Sequence, residues 1–335
     1  MKRMIRIFCL LLCIGVFQSQ ARAQTEVKPR GAADYPTKPM TIIVCVPPGG
    51  AADVQARALA SVAEKLLGQP MVVVNKPGAS GQIGLLTALQ AAPDGYTMVL
   101  ASHAYLFPGL WELANGRKPI VTRDELTDVG SFSRARFMIT VPYNSPWQTL
   151  ADLIKDAKAN PGKYAFGSGG YNSLHHLLTE IFMTSTGLKF RHVPYTGGGP
   201  IISALLGNHI DFAITSAGSS YPVVRANKLR YLAVLGDKRY GVIPDTPTPK
   251  EFGVDAEFID IWLGIWVAKK TPEPIVRKLE EVLKKAVEDK SFIKLVEDVG
   301  DEPYHMSSKE MAQSLDRDLA KVEKIFSQFA AEGKK

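Results

Sequence analysis

TIIVCVPPGGAADVQARALASVAEKLLGQPMVVV, residues 41–74, joins an apolar run, a Pro/Gly turn, an amphipathic stretch and a second apolar run. TIIVCV (41–46) is short and apolar throughout, the pattern of a strand covered on both faces. From Ala52 onward, Val54, Ala58, Leu59, Val62 and Leu66 recur at helical spacing, and Gly68 ends the run where a left-handed residue is needed. MVVV (71–74) is the next strand, and the loop NKPGASG leads to a short helix near 82–91. Pro93-Asp94-Gly95 then turns the chain into YTMVLA (96–101). Strand, helix, strand, helix and strand in about sixty residues predict a parallel α/β sheet.

A second unit repeats the pattern. PYNSPW (142–147) precedes an amphipathic helix over roughly 149–158. YAFG (164–167), KFRHVPY (189–195), DFAITS (211–216) and LRYLAVL (229–235) read as strands, with helices at 173–185 and 200–206 between the first three. From Pro272 to Phe329 the chain reads as helical, with Ile275, Leu279, Val282, Leu283 and Ala286 on one stripe. Strands at 129–141 and 229–236 flank the second unit. If both are crossings, the chain leaves a first domain (24–134), builds a second (135–236) and returns to finish the first (237–335). Loops at the carboxyl ends of parallel strands are where open α/β sheets bind ligands, so two lobes of this kind place two loop sets on one cleft.

The first 23 residues read as a cleaved secretory leader. Lys2, Arg3 and Arg6 precede an apolar run from Ile7 to Phe17, and Ala21-Arg22-Ala23 offers a cleavage site before Gln24. Lys2, Arg3, Arg6 and Arg22 leave with it and no acid accompanies them, so the net charge of +7 falls to +3. That balance, without a clustered basic face, argues against nucleic-acid binding. Of the three cysteines only Cys45 stays, in an apolar run, so it is expected to be a buried, inert thiol with no disulfide partner. No lipid anchor is expected.

The candidate chemistry lies in glycine-rich turns that start helices. In VPPGGAAD (46–53), Pro48, Gly49, Gly50 and Ala51 lead into a helix whose first N–H groups lack intrahelical partners and attract anions. Asp53 sits in the first turn, where either a helix stabiliser or a site residue fits. GSGGYNS (167–173) repeats the layout in the second lobe, offering Ser168, Gly169, Gly170, Tyr171, Asn172 and Ser173. Asn172 or Ser173 equally suits a plain helix cap. Around them lie Ser80 and Gly81, Ser102, Thr196 with Gly197 and Gly198, and Thr215 with Ser216 and Ala217. Arg134 and Arg136, near the first crossing, either face the cleft toward a second carboxylate or are solvated surface cations.

The second loop lacks the third glycine of G-x-G-x-x-G and has no acid about twenty residues on, and no Gly-Lys-Ser/Thr follows the first. No G-x-S-x-G or H-E-x-x-H occurs, and adjacent His175 and His176 cannot face one metal from a helix. A hydrolase using Ser168 or Ser173 with His175 remains the enzymatic alternative. No metal and no cofactor are expected.

Six ordered stretches resemble the Bug family of TctC-type receptors, the solute-binding proteins of tripartite tricarboxylate transporters. They are YPTKPMTIIVCVPPGGAADVQARALA, GQPMVVVNKPGASGQIG, APDGYTMVLAS, KANPGKYAFGSGG, VPYTGGGP and IPDTPTPKEFG, and the match runs from about Tyr35 to beyond Ser307. The resemblance implies an α/β, two-lobed periplasmic-binding-protein fold (Venus-flytrap, type II-like) of two parallel-sheet domains. It also implies a small carboxylate held by the second lobe's helix-start loop and linked through waters to Pro48–Asp53, Ser80, Gly81 and Ser102. Expected partners are the transporter's membrane subunits, or a sensor kinase, and the chain is expected to be a monomer. Three stretches depart from the family pattern: Gly170-Tyr171-Asn172, the basic SRARF (133–137) and the aromatic ASHAYLFPGLW (101–111). They make the ligand's identity, rather than its class, the open question.

Overall fold

The computed structural model describes residues 34–171 and 173–331. The predicted leader and Asn172 lie outside the described residues. Five strands alternate with three helices at the start of the chain: β1 (Met40–Val44), α1 (Ala51–Leu67), β2 (Met71–Asn75), α2 (Gln82–Leu89), β3 (Thr97–Ser102), α3 (Phe107–Ala114), β4 (Leu126–Ala135) and β5 (Phe137–Pro142). Then follow α4 (Leu150–Ala159), β6 (Ala165–Ser168), α5 (Leu174–Thr186), β7 (Arg191–Pro194), α6 (Gly198–Leu206), β8 (Phe212–Ser216), α7 (Ala217–Arg225) and β9 (Leu229–Val234). The remainder is β10 (Ile261–Ala268), α8 (Glu273–Val287), α9 (Lys290–Asp298), β11 (Glu302–Ser307) and α10 (Ser308–Ala331).

The strands form two sheets. One has the order β11-β4-β10-β3-β1-β2 and the other β7-β6-β8-β5-β9. Each sheet is parallel only in its strand–helix–strand part, β1–β3 and β6–β8. β10 runs antiparallel to β3 and β4, and β5 antiparallel to β8 and β9, so both sheets are mixed. The strand expected over 129–141 divides at Arg136: β4 ends in the first sheet and β5 begins in the second. The return is longer, because β9 lies wholly in the second sheet and the chain re-enters the first only at β10. On the way it stays on the second sheet, where Val234 N–H donates to Pro247 O and Tyr240 packs with Met138, Ala217 and Tyr231.

Period-two alternation assigns each strand's faces. Met40, Ile42 and Val44 join one core with Leu59, Leu279, Leu283 and Phe292, whereas Ile43 and Cys45 face the opposite layer with Phe107, Trp111 and Phe326. The aromatic bulk of 101–111 is thus core material: Phe107 is buried and Trp111 meets Phe326 edge-on at 5.5 Å. α1 buries Gln55, Ala56, Leu59, Ala60, Val62 and Ala63, while Leu66, expected on the apolar stripe, is exposed. The tail expected to be wholly helical is interrupted by β11, an edge strand on β4. An edge position tolerates Pro303, which has no N–H to give a second neighbour. Among the described residues no helix is long and apolar enough to cross a membrane.

Candidate functional site

Parallel pairing brings the carboxyl ends of β1, β2 and β3 to one edge, and with them the 47–53 turn, the Ala79–Gly81 turn and the His103–Leu106 turn. β6, β7 and β8 do the same for 168–171 with Ser173, 195–198 and 216–219. The two edges meet at helix starts. A Cβ built on Gly218 would lie 2.8 Å from the Ala51 Cβ and 3.2 Å from Val299 O, so the first turn of α7 touches that of α1. A Cβ on Gly300 would sit 3.3 Å from Ala217, and one on Gly198 would sit 3.6 Å from the Ser219 hydroxyl. The starts of α1, α7 and α6 therefore adjoin in that order. Tyr195 N–H donates to Ser168 O at 2.8 Å, which ties the α5 loop to the same row.

The helix starts differ in whether a side chain takes up their first N–H groups. α4 starts with a Thr149/Asp152 capping box and α9 with Asp289 accepting from Ser291 and Phe292. Among the described residues, no side chain caps α1, α2, α6 or α7, whose N-cap residues are Gly50, Gly81, Gly197 and Ser216, nor α3 or α8, which follow Leu106 and Pro272. Capping satisfies one of the orphan N–H donors of a first turn, and leaving it out keeps those donors open to another acceptor. α5 is the exception in this row: Ser173 Oγ accepts from His176 N–H at 3.3 Å and donates to Gly170 O at 2.8 Å.

Asp53 shapes the first loop. Its carboxylate accepts from Gly49 N–H at 2.8 Å, Asn75 Nδ2 at 2.8 Å and the Arg57 guanidinium at 3.0 and 3.2 Å. Burial opposes its charge, but these donors outweigh burial and hold the carboxyl below the usual range. Asn75 also donates to Val46 O, so the turn is pinned at both ends. Gly49 has φ +85°, which a side chain strains to adopt, and its N–H is taken by Asp53. Pro48 and Gly50 complete the turn, and Ala51 opens the helix. Ser80 also takes a left-handed conformation, Gly81 lies directly against the Tyr105 ring, and Ser102 Oγ accepts from Ala104 N–H at 3.3 Å.

In the second lobe several predicted hydroxyls are used internally. Ser168 is fully buried, with Oγ 2.6 Å from His192 Nε2 and donating to Gly170 O at 2.9 Å. Thr215 lies in a buried chain from Thr140 at 2.7 Å to Ser220 at 2.9 Å, and Ser220 meets Tyr231 at 2.7 Å. Ser216 and Ser219 face each other at 2.9 Å, and Thr196 is exposed. A Cβ on Gly169 would sit 3.3 Å from His175 Nδ1, and Gly170 has φ +103°. Tyr171 is 58% exposed and stands edge-on to His176 and His192, beside a cavity of about 470 Å³ that continues along α5 to Leu188, Lys189 and Phe329. Burial, with the nearby His176, pushes the His192 imidazole down to about 4.

The Ser168 form of the hydrolase alternative does not have its geometry here. Ser168 pairs with His192 rather than His175, its hydroxyl is inaccessible, and His192 Nδ1 has no hydrogen-bond partner among the described residues to orient it. Arg134 and Arg136 are not solvated cations. Both pair with Asp260 at 3.0 Å and with Glu302, at 2.9 and 3.4 Å respectively, where β4 passes to β5. Sequence reading missed four residues that organise this region: Gly218, His192, Asn75 and Asp301. Gly218 lies in α7, a helix where the sequence reads as a loop between two strands, and the other three carry no local signal.

A model of the tripartite tricarboxylate transporter family receptor (TctC) matches residues 55–330. Protein BugT of Bordetella pertussis is 33% identical over 285 residues, 85% of this chain and 86% of that one. The structure of a periplasmic transporter superposes with TM-score 0.77 at 31% identity, covering 87% of this chain and 97% of the other. The R. palustris protein Rpa4515 with adipate gives TM-score 0.78 at 28% identity, over 89% and 99%.

Proposed function

The chain belongs to the tripartite tricarboxylate transporter receptor family, and from that premise we propose that it captures a small organic carboxylate between its two lobes, in the periplasm, and presents it as a monomer to transporter membrane subunits. The observation that carries this reading is the row of uncapped helix starts, one from the first sheet and two from the second, meeting where Ala51 touches Gly218. Each exposes N–H donors and the positive end of a helix dipole, so an anion between them is stabilised from both sides. Adipate in the related Rpa4515 protein is an acid of the proposed class. Because Gly49 N–H is engaged by Asp53, the first lobe's donors are those of Ala51, Ala52 and Asp53, and the Asp53 carboxylate holds their turn in shape. Gly170 and Ser173 N–H are likewise engaged, by Ser168 Oγ and Gly170 O, so the facing donors of the second lobe are those of Gly169, Gly197 and Gly198. Tyr171, at the mouth of the neighbouring cavity, is placed to sort ligands by size.

A thermal-shift screen over mono-, di-, tri- and aromatic carboxylates, each paired with its neutral amide, tests this. A ligand that binds only the folded protein raises the melting temperature by mass action. At least one acid stabilises the protein while its amide does not. Equal response to acid and amide across the series contradicts the proposal.

A further inference from the structure

Asp301 lies between α9 and β11, at the line where the two sheets' helix starts meet. Its side chain is 2% exposed. Oδ2 accepts from Gln55 Nε2 at 2.6 Å, and Gln55 Oε1 accepts from Ser133 Oγ at 2.6 Å, so a buried polar chain links α9–β11, α1 and β4. Oδ1 is buried and has no hydrogen-bond partner among the described residues. It faces Gly218 of α7, where a Cβ would lie 4.0 Å away. The residues before it carry the rest of the contact with the second lobe. Val299 O abuts Gly218, Gly300 abuts Ala217, and the Tyr240 hydroxyl donates to Gly300 O at 2.8 Å.

The charged surroundings do not neutralise an ionised Asp301. Gln55 from α1, Ser133 from β4 and Gly218 from α7 are uncharged. Tyr240 faces it from the second lobe as a phenol whose own ionisation burial suppresses. Glu302 on β11 repels it, and Glu297 of α9 lies on the same side. Arg134 and Arg136, where β4 passes to β5, are paired with Asp260 and Glu302. Burial first, then Glu302, outweighs the Gln55 hydrogen bond and pushes this carboxyl up to about 7.

We infer that Asp301 is a proton-operated latch on lobe closure: the lobes close over its neutral carboxyl, and its ionised form loosens the contact with Ala217 and Gly218. An ionised carboxylate with an unsatisfied oxygen is costly to keep from water, and separating the lobes admits water to it. The sign follows from linkage. A carboxyl raised in the closed form and ordinary in the open form, at about 4, favours closure fully below the open value. That preference is lost as pH rises to the closed value of about 7 and changes no further above it. Closing therefore takes up a proton, and the closed-to-open ratio falls by up to about tenfold per pH unit across that window. The inference rests on the reading that the lobes open and close.

Its test needs no ligand. Spin labels at the exposed Val72 of the first sheet and Leu206 of the second lobe report the interlobe distance from pH 4.5 to 8.5. The native protein shifts from the closed to the open distance as pH rises, and the Asp301→Asn protein holds the closed distance throughout. The same pH course in both proteins, flat courses included, overturns the latch. Should Asp301→Asn not fold, carbon-detected titration of the native side chain decides. A value near 7 that drops by at least one unit when Gly218→Ala wedges the lobes supports the latch, and a value unmoved by the wedge overturns it. Either failure leaves the carboxylate reading standing, since no carboxylate is added.

Discussion

Gly218→Ala isolates closure from both folding and ligand chemistry. The added Cβ would lie 2.8 Å from the Ala51 Cβ and 3.2 Å from Val299 O. Carbon atoms pack best about 3.5–4.0 Å apart, so the first contact is short by roughly 1 Å. Ala51 has no rotamer with which to move aside, and Val299 O is backbone. Within each lobe the substitution meets no such contact, so the relief available is separation of the lobes. Overpacking of this kind costs about 1–3 kcal/mol, here only in the closed arrangement. Ligand affinity then falls about 5- to 150-fold. Calorimetry with the acid that gives the largest thermal shift measures it. Gly241→Ala, whose Cβ would meet nothing within 4 Å, serves as the control. Removing the colliding methyl in the double variant Ala51→Gly/Gly218→Ala recovers most of the affinity. Wild-type affinity in the single variant, or no recovery in the double, refutes this steric reasoning.

Further outcomes follow from other parts of the site. Gly198→Pro places proline at the first position of α6, where its fixed φ suits the helix, and deletes one N–H donor. Stability is unchanged within about 0.5 kcal/mol, while carboxylate affinity drops about 10- to 150-fold, the value of a hydrogen bond to a charged group. Asp53→Asn removes a carboxylate whose titration is held low by Gly49, Arg57 and Asn75. Its stabilisation is present above the unfolded value of about 4 and lost as pH falls through the lower folded value. Melting curves from pH 2.5 to 6 therefore converge for the two proteins at the acid end. Arg136→Met leaves Glu302 and Asp260 facing each other with Arg134 alone, and urea titration reads a loss of about 1–3 kcal/mol. Cys45, buried with its thiol pushed up to about 12, reacts with a thiol reagent at pH 8 only as fast as the protein unfolds.

The fold was legible where local pattern and packing agree. The continuous apolar run TIIVCV, the turn at Pro47–Gly50 and the glycine stop at Gly68 each correspond to a feature of β1, its following turn and α1. β11 was not legible, because EPYHMS has one buried residue and is a strand only through pairing with β4. The break at Arg136 was hidden for a similar reason: 129–141 reads as one strand, and only their partners assign β4 and β5 to different sheets. At the site, glycine and serine turns marked the helix starts but not the destination of each donor. Which hydroxyls turn inward, such as Thr215 toward Thr140 and Ser220, depends on residues 75 and 5 positions away. Asp301 reaches Gln55 across 246 residues, a contact no local spacing announces.

The most direct measurement is an amide-resolved nuclear magnetic resonance titration with the acid selected by the thermal screen. The account predicts that the N–H signals of Ala51, Ala52, Gly198 and Gly218 move downfield together with one dissociation constant, while those of the side-chain-capped first turn of α4 stay fixed. Shifts confined to one lobe, or distributed without preference for the uncapped helix starts, contradict it.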